Sequence, residues 1–271
     1  MHKYPPTLLF SVLILTISCN KNDNSTRFMG SGIDSYKPQY MHYPLGGFQD
    51  TTSIKLEYDG DKIIKRIGGT LQLSSSSPYS YIFSKEVYDE ISYSSDEAVM
   101  ITKFDSPDIN TSDWKEKFRF SHGKIVECII LKNYSDNNDT IKYYYKNRVL
   151  VKRVSYGRKG LNYQSQYYYN NHRNIDSIIT RYAARNPVTR NWEINMTGNK
   201  RVKEIFLDFD NYANPVKNLM IFDEIFNRSL SENNYSRYEK YEYDENGTII
   251  AREKRWWKFI YENGRINFDK L

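Results

Sequence analysis

The stretch Tyr241-Glu242-Tyr243-Asp244-Glu245-Asn246-Gly247-Thr248-Ile249-Ile250 determines how this chain folds. Aromatic and charged residues alternate, the alternation stops at Asn-Gly, and an apolar segment follows. Alternation with a period of two places one set of side chains on a buried face of a β-strand. Asn246-Gly247 supplies the positive φ angles that a tight turn between two twisted strands requires. The stretch therefore predicts a β-hairpin.

Degenerate copies of this hairpin pattern recur from about Tyr40 onward. In each copy an aromatic or aliphatic strand reaches Asp, Asn or Gly, and an apolar strand follows. The other copies lie at residues 56–64, 118–126, 141–149, 167–175, 206–214 and 259–266. The predicted fold class is all-β: an antiparallel meander of repeated hairpins that forms a curled sheet or an open, barrel-like fold. We assign it to a single domain at residues 40–271.

One segment departs from the alternation and has helical spacing. Asn214-Pro215 is typical of a helix start. Apolar residues then recur at roughly 3.6-residue intervals, namely Val216, Leu219, Met220, Phe226 and Leu230. We predict one helix near residues 216–230 that covers one side or one open end of the sheet. The pattern also allows shorter helical turns at residues 84–91 and 112–117.

The N-terminal segment has the features of an export signal. Behind Lys3, residues 8–17 form an apolar run of about ten residues. This is too short for the roughly 20 residues that cross a bilayer, but it is typical of a secretory signal peptide. We predict a signal peptide at residues 1–18 and a polar, flexible tether at residues 19–39.

Leu15-Thr16-Ile17-Ser18-Cys19 resembles a bacterial lipobox. The resemblance implies that Cys19 is acylated, for example with palmitate, and becomes the first residue of the mature protein. An ordinary signal peptide that ends near a cysteine is the alternative. Lipidation predicts a cell-envelope protein anchored in the outer membrane, with the periplasmic and the surface-facing leaflet both open.

A wider resemblance rests on three features of the sequence. These are the Tyr-x-Tyr-Asp-x-x-Gly units, the element Asp210-Asn211-Tyr212-Ala213-Asn214-Pro215, and Ser231-Glu232-Asn233-Asn234 before the hairpin at Tyr241. Together they resemble uncharacterised lipoproteins of the Bacteroidota whose β-hairpin units are similar to the YD repeats of Rhs-type proteins. The resemblance implies a curled antiparallel sheet on a lipid anchor, and it implies no catalytic residues.

Charge and cysteine usage narrow the function classes. The chain has 39 basic and 33 acidic residues, a formal net charge of +6, and the two signs alternate along the predicted strands. A nucleic-acid binder shows clustered Lys and Arg or a recognisable module, so we expect no nucleic-acid partner.

Cys128 lies in an apolar run that predicts a buried, unreactive thiol. His42, His122 and His172 have no zinc-ligand spacing, and we expect no metal and no cofactor.

Carboxylates beside the predicted turns are the candidates for catalysis. They are Asp59, Asp61, Asp208, Asp210 and Asp244. A glycosidase needs two acids about 5 to 10 Å apart, so a carbohydrate-active hydrolase that uses two turn-borne carboxylates is the alternative function. Acids at turns also accept hydrogen bonds from the turn's own N–H groups, which explains them without catalysis. Asp208 and Asp210 also offer oxygen ligands for Ca²⁺, but the glycine and distal glutamate of an EF-hand loop are missing.

The aromatic excess is the remaining functional clue. Adjacent aromatic residues in a strand point to opposite faces, and exposed rings commonly stack on sugars or contact a protein partner. The candidate ligand-binding residues are Trp256, Trp257, Tyr144 and Tyr168. Burial of both faces, or cross-strand aromatic ladders, would account for them structurally. We predict a non-enzymatic binding or structural module of the envelope with a glycan or protein partner.

Overall fold

The computed structural model describes residues 37–43, 52–72, 81–105, 114–131, 138–217, 219–263 and 265–270. The predicted signal peptide and Cys19 lie outside these residues. Within the described residues, fourteen strands form one sheet. In chain order they are β1 (Tyr40–Tyr43), β2 (Thr52–Asp59), β3 (Lys62–Gln72), β4 (Tyr81–Tyr93), β5 (Glu97–Phe104), β6 (Trp114–Ser121), β7 (Lys124–Leu131), β8 (Asp139–Lys146), β9 (Val149–Gly157), β10 (Gly160–Tyr169), β11 (Ile175–Tyr182), β14 (Arg201–Phe209), β15 (Tyr235–Tyr243) and β16 (Ile249–Trp256).

Two short ribbons, one helix and one turn complete the described fold. The ribbons are β12 (Ala184–Arg185) with β13 (Trp192–Glu193), and β17 (Tyr261–Glu262) with β18 (Arg265–Ile266). The helix is α1 (Asp223–Ser229), and the turn is a 3-10 turn at Phe268–Lys270. Each strand of the large sheet pairs antiparallel with the next sheet strand along the chain, while β1 and β16 at the two ends do not pair with each other. The predicted all-β antiparallel meander is confirmed.

The hairpin pattern of the sequence marks real hairpins at all but one of its copies. The copies at 56–64, 118–126, 141–149, 167–175 and 241–250 join neighbouring sheet strands, and the copy at 259–266 forms the β17–β18 ribbon. The copy at 206–214 is different, because the chain leaves the sheet after Phe209 and reaches α1 before it returns as β15. That copy therefore ends a strand without starting the next one.

A β-bulge close to the turn accompanies the five sheet hairpins that the pattern predicts. An extra residue on one strand bends that strand and increases its twist. The register shifts lie at Glu57/Tyr58, Arg119/Phe120, Tyr144/Tyr145, Tyr168/Tyr169 and Glu242/Tyr243. This repeated bend favours a curled sheet over a flat one.

The helix lies where the sequence predicts it but is shorter. The helix begins only at Asp223, and residues 215–217 and 220–221 form turns instead. Val216, Leu219 and Ile221 are nevertheless buried, so their spacing reflects one-sided burial of a turn-rich segment. The suggested helical turns are wrong at 84–91 and at 114–117, and residues 112–113 lie outside the described residues. Residues 84–91 lie in β4, where alternate residues are buried, and β6 occupies 114–121.

The segment that contains α1 packs onto the concave face of the sheet. The Tyr143 and Phe226 rings lie 5.9 Å apart, and the Tyr145 hydroxyl lies 4.0 Å from the Met220 sulfur. Phe206, Phe222 and other apolar residues of strands and helix share one buried cluster. The segment thus fills part of the hollow that the curled sheet forms. Among the described residues, no helix has the length and hydrophobicity to cross a membrane.

The chain after β16 reaches back to the first strand. One Asp269 carboxylate oxygen accepts hydrogen bonds from the backbone N–H groups of Gln39 and Tyr40, at 3.0 and 2.6 Å. Phe268 and Ile266 beside it are buried in the same apolar cluster as Ile54 of β2. The two ends of the sheet therefore share contacts through this segment, although their strands do not pair.

Candidate functional site

The concave face of β9, β10, β11, β14, β15 and β16 carries polar side chains in cross-strand rows. Strand register places Arg153 opposite Ser165 and Ser165 opposite Thr180. In the next row, Glu204 lies opposite Lys240, and Lys240 lies opposite Glu253. The rows line a cavity of about 450 Å³. Its walls are formed by Arg153, Tyr163, Ser165, Thr180, Tyr182, Val202, Glu204, Tyr238, Lys240, Glu253 and Arg255.

The two ends of the cavity differ in character. Arg153 lies near α1, where its guanidinium carbon is 5.1 Å from the Phe226 ring centre and 5.6 Å from that of Tyr163. Toward the ends of β10 and β11 that point away from α1, Tyr163 meets Tyr182 edge to face, with ring centres 6.1 Å apart. Tyr182 is 59% exposed. The cavity therefore runs from a solvated aromatic pair to an arginine beside the helix.

The two carboxyl groups of the cavity are in different environments. Burial raises the pKa of the Glu204 carboxyl, while the Tyr238 hydroxyl, which donates a 2.8 Å hydrogen bond to it, acts in the opposite direction. Glu253 forms an ion pair with Arg255. Lys240, which lies between the two acids in the register, forms an ion pair with Glu242 at 2.9 Å. Each acid thus has a partner within the sheet.

Arg153 is the cation of the cavity wall that forms no ion pair with a carboxylate of the described residues. None of the ion pairs among the described residues includes Arg153, although the Glu204 and Asp223 carboxylates act on it electrostatically from beyond ion-pair distance. Its Nε is buried without a hydrogen-bond acceptor among the described residues. Aromatic faces attract a guanidinium, and the Tyr163 and Phe226 rings hold the side chain in place. Its charge is therefore not neutralised by a direct ion pair within the cavity.

The size and lining of the cavity suit a small polar ligand. Pockets for small molecules measure about 300 to 1,000 Å³ and combine aromatic walls with a few directed polar groups. Here the Ser165 and Thr180 hydroxyls lie 2.8 Å apart between the tyrosine pair and the charged row. The cavity can therefore offer ring faces, hydroxyls, carboxylates and guanidinium groups to one ligand.

The aromatic residues suggested by the sequence lie outside this cavity. Tyr144, Tyr168 and Trp256 are 38%, 43% and 64% exposed. Tyr144 lies on the convex face, where Lys152 sits 4.2 Å above its ring. Trp257 instead packs inward, with its ring centre 5.6 Å from that of Tyr235. The structure does not bring these four residues together.

The turn-borne acids suggested by the sequence have structural partners, except that Asp59 simply ends β2. Asp210 and Asp244 each accept the backbone N–H two residues on, at 3.2 and 2.9 Å. Asp61 pairs with Lys37 at 2.9 Å, and Asp208 pairs with Arg237 at 3.1 Å. These contacts account for the four acids without a shared site.

A second buried polar group lies under α1. Burial raises the pKa of Glu116 to about 7, and the Trp114 indole donates a 2.9 Å hydrogen bond to it. Cys128 lies beside it, with its sulfur 3.9 Å from Glu116, and burial raises the pKa of this thiol. No cluster of three or more His, Cys, Asp and Glu side chains suited to a metal ion occurs within the described part of the chain.

Comparison with known proteins finds remote structural similarity. No protein-family model and no curated protein matches the chain. Among solved structures, a porin-like protein from Bacteroides vulgatus has a TM-score of 0.47 at 11% identity, over 84% of this chain and 89% of that one. A porin-like protein from Bacteroides uniformis has a TM-score of 0.45 at 11% identity, over 84% of this chain and 91% of that one.

Proposed function

We propose that the protein is an outer-membrane-anchored lipoprotein that binds a short saccharide in its concave cavity and is not an enzyme. The observation that carries this proposal is the combination of Tyr163 and Tyr182 with the polar rows beside them. A sugar presents an apolar C–H face, which packs on aromatic rings, and a rim of hydroxyls, which bond to carboxylates and guanidinium groups. A cavity of about 450 Å³ has room for one or two sugar rings.

Calorimetric titration of the detergent-purified full-length protein with a panel of mono- and disaccharides tests this proposal. We expect Tyr163→Ala and Tyr182→Ala to weaken binding by about two- to tenfold, because an aromatic contact contributes roughly 0.5 to 1.5 kcal/mol. Tyr156→Ala is the matched control, since Tyr156 is exposed beside Lys142 and does not line the cavity. Binding of no saccharide, or equal effects of all three substitutions, would refute the proposal.

The lipid anchor rests on the lipobox-like segment that ends at Cys19. Labelled palmitate should enter the wild-type protein and should not enter Cys19→Ala. Globomycin, which blocks the lipoprotein signal peptidase, should cause the precursor to accumulate. Absence of label in the wild type would exclude lipidation, and protease treatment of intact cells would identify the leaflet.

A protein partner on the convex face is a separate expectation, supported by the exposure of Trp256 and Tyr168. Affinity purification from detergent-solubilised membranes, with Trp256→Ala and Tyr168→Ala compared with the wild type, tests it. A partner recovered equally well with both variants would not depend on these rings.

The second candidate function is hydrolysis of a saccharide by Glu204 and Glu253. Both line one cavity, and their strands are two positions apart in the sheet, which separates the backbones by about 10 Å. A carboxyl whose pKa is raised by burial suits a general acid, and Glu204 has that property. Lys240 between the two acids and the Arg255 partner of Glu253 favour binding over catalysis. Reducing-sugar release that disappears in Glu204→Gln would establish the hydrolase instead.

A further inference from the structure

We propose that the cavity selects a saccharide that carries a carboxylate, such as a uronic acid, and that Arg153 is the residue that selects it. This inference rests on the proposed saccharide binding and specifies its ligand class. Of the three cations in the cavity wall, Arg255 pairs with Glu253 and Lys240 pairs with Glu242, while no ion pair among the described residues includes Arg153.

The surroundings of Arg153 favour an acidic ligand over a neutral one. The Arg153 guanidinium packs against two ring faces, those of Tyr163 and Phe226, and has no carboxylate in direct contact. Glu204 and Asp223 act on it only from beyond ion-pair distance. Its buried Nε has no hydrogen-bond acceptor within the described chain. Such a group gains most from a ligand oxygen that bears charge, because charge-assisted hydrogen bonds are about twice as strong as neutral ones. A planar carboxylate also matches the fork of N–H donors of arginine.

The other cavity residues explain why the ligand is an acidic sugar and not a simple anion. The hydroxyls of Ser165 and Thr180 lie in the cross-strand row of Arg153. Glu204 and Glu253 occupy the next row and would repel a compact anion bound beside them. A uronic acid separates its carboxylate from its hydroxyls, so the charge can contact Arg153 while hydroxyls donate to the two glutamates.

Matched ligand pairs provide the test. D-galacturonic acid differs from D-galactose, and D-glucuronic acid from D-glucose, in having a carboxylate in place of the terminal CH₂OH group. In calorimetric titrations of the full-length protein we expect each uronic acid to bind at least about tenfold more tightly than its neutral counterpart. Raising the ionic strength from about 0.02 to 0.5 M should weaken only the uronic acid binding, because salt screens the charge pair.

Two variants test whether Arg153 causes the preference for a uronic acid over the neutral sugar. Arg153→Gln should bind both members of each pair with equal affinity. Lys152→Gln removes a positive charge at the next position of β9, on the convex face, and should keep the preference. If Arg153→Gln does not fold, Arg153→Lys, which keeps the charge but lacks the planar fork of donors, should reduce the preference, and an unchanged preference would overturn the role of Arg153.

The outcomes separate the two proposals. Equal affinity of the wild type for acidic and neutral sugars, salt-independent uronic acid binding, or a preference that persists in Arg153→Gln would overturn the role of Arg153 and leave saccharide binding intact. Binding of neutral sugars without binding of uronic acids would likewise overturn the role of Arg153 and leave saccharide binding intact. Binding of no saccharide of the panel would overturn both proposals.

Discussion

Replacement of Asn214 tests how the segment around α1 is held against the sheet. Asn214 is 5% exposed, and its side-chain amide donates to the Arg228 and Ser231 carbonyls at 2.7 and 3.1 Å. Its side-chain oxygen accepts the Val216 N–H at 3.1 Å. Asn214→Ala removes these three hydrogen bonds; the Arg228 carbonyl still accepts the Ser231 N–H at 3.2 Å. At about 1 kcal/mol each, the expected loss in unfolding free energy is about 3 kcal/mol.

Asn214→Asp distinguishes the hydrogen bonds that the Asn214 amide donates from simple helix capping by its oxygen. Asp caps a helix or turn as well as Asn does, so a residue that acted only through its oxygen would tolerate the change. Here a carboxylate would face two carbonyl oxygens, and we expect a loss at least as large as that of Asn214→Ala.

Urea unfolding followed by tryptophan fluorescence measures both variants. With a slope of about 3 kcal/mol per molar, the midpoint of Asn214→Ala should fall by about 1 M. Asn171→Ala, at an exposed turn, is the control and should change the free energy by less than about 0.5 kcal/mol. Wild-type stability of Asn214→Asp would refute the reasoning.

Three further predictions concern the interior of the sheet. Glu116 has a pKa of about 7 when folded against an ordinary value of 4.5, so the folded state binds the extra proton and stability falls as pH rises from about 4.5 to 7. Urea midpoints measured across that range should show this fall, by at most about 3 kcal/mol, and Glu116→Gln should abolish it. Gly68 has φ of +109°, and a Cβ there would lie 2.6 Å from the Phe83 ring. Thermal unfolding of Gly68→Ala should therefore show a loss of more than about 2 kcal/mol, whereas Gly60→Ala, with open space around it, should lose less. Cys128 should react with a disulfide reagent such as DTNB only after unfolding, because burial raises the pKa of its thiol; rapid reaction of the native protein would contradict its burial.

Local pattern predicted the strands and turns because both are local properties. A period of two in side-chain polarity reports which residues share a face, and Asn, Asp or Gly reports where the chain reverses. The prediction that adjacent aromatics diverge is also met, since Tyr143 is buried and Tyr144 is exposed. The prediction that α1 starts at Asn214-Pro215 was wrong because buried turns and an amphipathic helix can show the same apolar spacing.

The cavity could not be predicted in the same way. In β15 the alternation places Tyr238, Lys240 and Glu242 on one face, but it cannot say whether that polar face is concave or solvated. The answer depends on the curvature of the whole sheet and on which strands stand opposite α1. Arg153 and Glu253 therefore meet in one cavity although nothing near either residue signals the other.

The contact between Asp269 and β1 sets an order of events for folding. Each sheet strand pairs with the next one along the chain, so pairing can spread from strand to strand through short loops. The Asp269 bond to Tyr40 is of another kind, because it spans 229 residues. β1 can therefore pair with β2 early in folding. Its first residue, Tyr40, is fixed only after Asp269 has been synthesised and has reached it. A chain interrupted before that point would retain a frayed first strand, which a quality-control protease could recognise.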